Sequence, residues 1–176
     1  MELYTHEFKL WRDSVSAGDL IYLSGTVYTA RDTAHKRIVA MIQDGASLPF
    51  DLNGAFIYFA GPTPAKGSMA TGACGPTTSS RMDPYTPYLM DLGLSGTIGK
   101  GMRSDEVKKA IIRNKGIYLC AIGGAGALAA ESIKSLQVIA FDELGCESLK
   151  RLEIERFPLY VGIDPKGNSI FETCRS

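Results

Sequence analysis

Apolar and polar positions change period several times along this chain, and each change predicts an element. Residues 20–28 are rich in β-branched and aromatic side chains and predict a strand. Asp32 or Thr33 then offers a helix cap, and Ala34, Ile38, Met41 and Ile42 follow at helical spacing until Gly45 supplies a stop. A second strand covers 55–60 and ends at Gly61-Pro62. Residues 61–83, dense in glycine, proline, serine and threonine, form a loop whose length inside a compact domain marks it as functional or disordered. Helices are predicted over 84–92, with Pro84 in the first turn, and from Ser104 to about Asn114, with Asp105 and Glu106 at the positive end of the dipole. Residues 117–122 form a buried strand, and Gly123-Gly124-Ala125-Gly126 turns it into a helix over 127–133. A strand over 138–141 precedes a polar stretch, 143–156, with helical character near Leu149. Residues 159–163 and 169–172 then pair as a hairpin around 164–168. Strands and helices alternate, so the class is α/β, in one compact domain spanning residues 1–176 without internal repeat.

Composition narrows the chemistry. Lysine plus arginine equals aspartate plus glutamate at 19 each. Nothing in net charge therefore calls for nucleic acid or an anionic membrane, and any anion must be held by a local cluster. The N-terminus lacks a secretory apolar core, and the longest apolar run, 117–130, is broken by glycines, so a soluble cytoplasmic protein is expected. Cys74, Cys120, Cys146 and Cys174 are widely spaced without a CxxC pair, which argues against metal ligation within this chain.

Three segments carry candidate chemistry. Arg31, His35, Lys36 and Arg37 cluster where a strand runs into a helix, and backbone N–H groups at that helix start also favour anions. A charged, solvated helix face would look the same, apart from Arg31, which stands at the strand end where α/β proteins place ligands. In Gly75-Pro76-Thr77-Thr78-Ser79-Ser80-Arg81, four hydroxyls and a guanidinium before a helix make a cradle for a carboxylate or phosphate. The alternative, a flexible linker, fits poorly between closely flanking elements. Gly99-Lys100-Gly101 brings backbone close to a ligand beside a point charge, although the GxxxxGK[ST] spacing of a phosphate loop is not met. The Gly123 to Gly126 turn is weakly dinucleotide-like, and close strand–helix packing explains it equally well.

In this order the segments resemble the β subunit, or C-terminal domain, of the class I fumarase and L(+)-tartrate dehydratase family. The resemblance rests on 30–37, 75–83, Gly99-Lys100-Gly101, 123–127 and 161–164, and it covers nearly the whole chain. It implies a swivelling β/β/α domain and reversible hydration of a double bond flanked by carboxylates. It also implies a 4Fe–4S cluster held by a partner α subunit, so that this chain works in a hetero-oligomer and is inactive alone. Arg31 and Arg81 look like the arginines that grip the carboxylates of a small dicarboxylate, with Lys100 a third cationic contact. Thr77 resembles the proton-transfer threonine, with Thr78 the neighbouring alternative. His35 is expected at the surface or behind the site, and Asp83 as a cap for the helix entered at Pro84. Fumarate/(S)-malate leads, and L(+)-tartrate is the rival substrate that no residue separates. A non-catalytic carboxylate-binding module is the reading of another class.

Overall fold

The computed structural model describes residues 1–122 and 126–172. Its elements in chain order are β1 (Glu2–Tyr4), the single turn α1 (Phe8–Trp11), β2 (Leu20–Thr29), α2 (Asp32–Gln43), β3 (Phe56–Tyr58) and α3 (Thr86–Asp91). They continue with β4 (Gly96–Gly99), α4 (Asp105–Asn114), β5 (Ile117–Cys120), α5 (Gly126–Ser132), β6 (Ile133–Ala140) and β7 (Leu149–Ile163). Strands β2, β3, β4 and β5 lie side by side and parallel. Strand β7 runs antiparallel to β5 at one edge and to β2 at the other, which closes five strands into a barrel. β1 adds to β2 and β6 to β7 as flanking strands.

Alternation along the short strands divides the core in two. Phe56 and Tyr58 of β3 and Ile117 and Leu119 of β5 join the cluster inside the barrel, with Leu23, Leu152 and Val161. Phe8 and Trp11, edge to face at 5.0 Å, pack on that cluster from the N-terminal segment. Ile57 and Phe59, and Tyr118, point the other way, onto Ala34 and Ile38 of α2, Leu89 of α3 and Val107 and Ile111 of α4. A side chain points to opposite faces at successive strand positions, so a strand covered on both sides reads as a continuous apolar run. Each such large apolar side chain contributes about 1.5–3 kcal/mol by leaving water.

The structure departs from expectation in four places. Residues 96–99, where no strand was expected and whose Gly99 was read as part of a ligand loop, form the central strand β4. The polar stretch 143–156 is not helical beyond a short 3-10 turn at 142–147, and from Leu149 onward it is the longest strand of the fold. A bulge hides it: Leu152 and Ile154 keep period two, the register shifts opposite Leu23/Gly25, and Phe157, Leu159, Val161 and Ile163 resume it one step later. Arg156 at the shift has φ 51°. β6 begins at Ile133, earlier than the strand expected over 138–141. The hairpin over 159–172 reduces to a single bridge between Ile163 and Ser169, because Asp164 organises a turn there, accepting from Lys166 N, Asn168 N, Asn168 Nδ2 and Ala17 N. Burial raises the Asp164 carboxyl, but those donors together hold it below the ordinary carboxylate range. Gly123, Gly124 and Ala125 of the predicted turn lie outside the described residues, as does Cys174.

Candidate active site at the carboxyl ends of the parallel strands

The four parallel strands end together, and backbone hydrogen bonds join the segments that leave them. Ala30 N donates to Tyr58 O at 3.2 Å, Phe59 N to Ile98 O at 2.8 Å, and Ala121 N to Gly99 O at 2.8 Å. Arg31 leaves β2 as the residue capping α2, and Lys100 leaves β4. Residues 76–79 cross the same end: Pro76 bridges Ala60, Thr77 N donates to Phe59 O at 2.7 Å, and Ser79 N donates to Lys100 O at 2.9 Å. The backbone of Thr77 is thus anchored beyond β3, between the strands that deliver Arg31 and Lys100, and Thr78 pairs with Lys100 in a parallel bridge. Arg81, on the 3-10 turn Ser79–Met82, reaches back to the start of α2, donating from Nε to Asp32 Oδ1 at 3.1 Å and from Nη2 to Asp32 Oδ2 at 2.5 Å. Arg31, the neighbours Thr77, Thr78 and Arg81, and Lys100, drawn from three separate stretches of the sequence, therefore share one rim of the barrel.

Several of their polar groups are uncommitted. The Thr77 and Thr78 hydroxyls and the Lys100 ammonium have no hydrogen bond or ion pair among the described residues. Arg31 Nε lies 3.5 Å from Glu147 Oε1, close enough for Coulomb attraction, yet it is buried without a hydrogen bond. Its terminal nitrogens have no partner among the described residues. Gly61 leaves them room, since a Cβ there would come within 3.2 Å of Arg31 Nη1.

Behind the rim stand residues that sequence reasoning missed or misplaced. The Arg103 side chain is fully buried and donates from Nε to Asp83 at 2.6 Å, from Nη1 to Thr97 at 2.9 Å and from Nη2 to Thr86 at 2.7 Å. It lies between the rings of Phe59 and Tyr118, at 5.2 and 4.8 Å from their centroids. Asp83 does not cap α3; its other oxygen accepts from Ser104 N at 2.7 Å. The Arg103–Asp83 pair so ties the segment carrying Lys100 to the one carrying Arg81. Tyr118 adds a second tie, its hydroxyl 3.0 Å from Ser79 Oγ and 2.9 Å from Gly101 O.

His35 is not at the surface: it is fully buried, stacked on Tyr85 and edge-on to Phe59. Its Nδ1 lies 2.8 Å from Arg31 O, and because a carbonyl only accepts, that nitrogen carries the proton. Burial pushes its pKa down to about 4. Lys150 is buried too, and its ammonium donates to Gly145 O and Cys146 O at 3.1 Å, Ser148 O at 3.3 Å and Ser148 Oγ at 2.7 Å. It fixes the turn that presents Glu147 to Arg31, while desolvation lowers its pKa. Nothing local in the sequence distinguishes Arg103 or Lys150 from surface cations, because their burial depends on strands distant in the chain.

A cleft of about 1100 Å³ lies elsewhere, between the N-terminal segment and the β6–β7 pair. Its charges are mixed in sign and several of them pair, as in Arg151–Glu153 and Lys134–Glu155, so it does not repeat the cluster of cations at the rim. Among the described residues no group of three or more His, Cys, Asp or Glu is arranged to hold a metal ion. Cys74 is buried, Cys120 half-buried and Cys146 exposed, and burial pushes the Cys74 thiol up to about 12, away from the thiolate a metal needs. Among the described residues, the three thiols therefore offer no ligand set for an iron–sulfur cluster. No helix among the described residues is long and apolar enough to cross a membrane.

A family model described as "Fumarase C-terminus" matches residues 2–174. "Fumarate hydratase 2" of Leishmania major is 41% identical over 156 residues, covering 88% of this chain and 28% of that protein. "Fumarate hydratase class I, anaerobic" of Escherichia coli is 40% identical over 152 residues, 85% of this chain and 28% of its own length. "Putative L(+)-tartrate dehydratase subunit beta" of Methanocaldococcus jannaschii is 42% identical over 164 residues, 90% of this chain and 84% of its own. The chain thus spans little more than a quarter of the fumarate hydratases it matches, and most of the tartrate dehydratase subunit.

Proposed function

The chain belongs to the Fumarase C-terminus family, and we propose that it is the β subunit of an iron–sulfur-dependent hydro-lyase that interconverts fumarate and (S)-malate. The observation that carries this reading is the convergence of Arg31, Thr77, Arg81 and Lys100 on one barrel rim, with the Lys100 ammonium and the Arg31 terminal nitrogens uncommitted. We assign the barrel and its outer helices to the swivelling β/β/α class. The 4Fe–4S cluster belongs, in this reading, to a partner α subunit.

The residues of this chain then act as follows. Arg31 and Arg81 take the two carboxylates of the substrate in charge-assisted hydrogen bonds, and Lys100 adds a point charge. Removing a proton next to a carboxylate builds enediolate charge, which the Lys100 point charge stabilises where it develops. The two arginines hold the carboxylates alike in ground and transition states. Thr77, held between Arg31 and Lys100, moves the proton, with Thr78 its alternative. A neutral hydroxyl is a weak base, so Thr77 needs a carboxylate partner from the other subunit. Exposed apolar side chains on segments following β3, β4 and β5 (Met69, Met102, Ile122) support a partner covering this end.

One observation favours a second substrate: the relative comparable to this chain in length is named as a tartrate dehydratase subunit. L(+)-tartrate dehydration is the rival activity. The test is anaerobic isolation of the chain with its partner, assayed on both substrates. Fumarate hydration dependent on both subunits supports the proposal; tartrate turnover alone moves it to the rival; dicarboxylate binding without partner or turnover establishes a non-catalytic module. A Thr77→Ala complex with intact cluster and near-normal turnover would remove Thr77 from the mechanism.

A further inference from the structure

Both arginines assigned above to substrate carboxylates already face a carboxylate of this chain. Asp32 receives Arg81 in a two-pronged pair through Nε and Nη2, at 3.1 and 2.5 Å. Glu147 stands 3.5 Å from Arg31 Nε. In each case the protein acid occupies the Nε side of the guanidinium, while Nη1 of Arg81 and both terminal nitrogens of Arg31 have no partner among the described residues. A guanidinium is a rigid plane of five N–H donors, so fixing one side decides which side faces outward. The acids are themselves fixed. Asp32 is the first residue of α2, where the helix dipole favours a negative charge. Glu147 rides on the turn held by the Lys150 ammonium.

We propose that Asp32 and Glu147 are positioning residues, steering Arg81 and Arg31 so that a dicarboxylate is received on their terminal-nitrogen edges; this rests on the proposed function. The opposite relation, in which the acids merely occupy the arginines and must be displaced by substrate, predicts the opposite sign, since removing a competitor tightens binding. Steering of a grip made equally in ground and transition states appears in KM, with kcat little altered.

The experiment uses the complex of this chain with its cluster-bearing partner, purified without oxygen, carrying Asp32→Asn or Glu147→Gln. KM for the dicarboxylate is expected to rise about tenfold in each, with kcat within about twofold, and competitive inhibition by succinate to weaken by the same factor. Asp32→Glu, which returns a carboxylate to the Arg81 fork, should recover KM to within about threefold of wild type. A merely structural role would instead lower the melting temperature and kcat without that split or rescue, and would overturn the inference. So would a KM that falls or stays unaltered in both variants, leaving the proposed function standing. A wild-type complex with no turnover and no response to succinate overturns both.

Discussion

His35 shows how one side chain makes stability depend on pH. Its folded pKa, about 4, lies below the ordinary value of 6.5 because burial disfavours the charged ring. The unfolded chain therefore takes up a proton near pH 6.5 that the folded chain refuses, and stability, whole above that pH, falls as pH drops towards 4. At pH 5 the loss is about 2 kcal/mol. Urea unfolding at pH 7.5 and 5.0 should show a smaller difference by about that amount in His35→Gln than in wild type. Arg103 makes a larger contribution at one pH. Arg103→Met leaves Asp83 facing a desolvated site without its partner and should cost about 3–5 kcal/mol in the same experiment, and a cost under 1 kcal/mol would mean that the pair is solvated. The role of Arg103 was not legible in the sequence, and that of His35 only in part, as a residue behind the site. His35 sits in a basic run that reads as a charged helix face, and Arg103 follows Gly99-Lys100-Gly101 as one more cation.

At the scale of elements, legibility followed burial pattern. β3 and β5 are covered on both faces and read as apolar runs; α2 and α4 kept helical spacing, and Ser104 caps α4 as expected, accepting from Val107 N. β4 was missed because two of its four residues are glycines, which carry no pattern. Their absence of a side chain is structural: a Cβ on Gly99 would lie 1.9 Å from Ser79 Oγ and 2.9 Å from Phe59 Cδ2. Gly99→Ala must push residues 76–79 off the strand end, and we expect it to lower stability by about 1–3 kcal/mol. It should also weaken dicarboxylate binding more than a surface substitution of equal stability cost does; titration calorimetry on the complex reads the difference. The first half of β7 was missed because the alternation slips by one residue at the bulge, and only residues 159–163, beyond the slip, read as a strand.

For the whole molecule, closure of the barrel rests on β2 and β7, paired from Leu20–Tyr160 to Thr29–Lys150. Opening either strand opens the barrel, so their amides should exchange with deuterium only through global unfolding, whereas residues 64–70, held by the few bonds at Thr63, Gly72 and Ala73, should exchange orders of magnitude faster. Native-state exchange mass spectrometry distinguishes the two regions. The motifs that pointed to the rim could be seen in the sequence because their residue types are unusual together. The ties that hold them in register could not, since each joins residues made neighbours only by strand order.

That strand order also sets a length. Arg31 leaves β2, and the segment carrying Arg81 is bonded through Ser79 N to Lys100 O at the end of β4. One strand lies between, and neighbouring strands lie about 4.8 Å apart, so the two strand ends stand about 10 Å apart at the rim. The barrel serves as a fixed caliper, and its jaws cannot widen without breaking the ladder on either side of β3. Diacids of four carbons should compete for the site, and adipate, longer by two methylenes, should not.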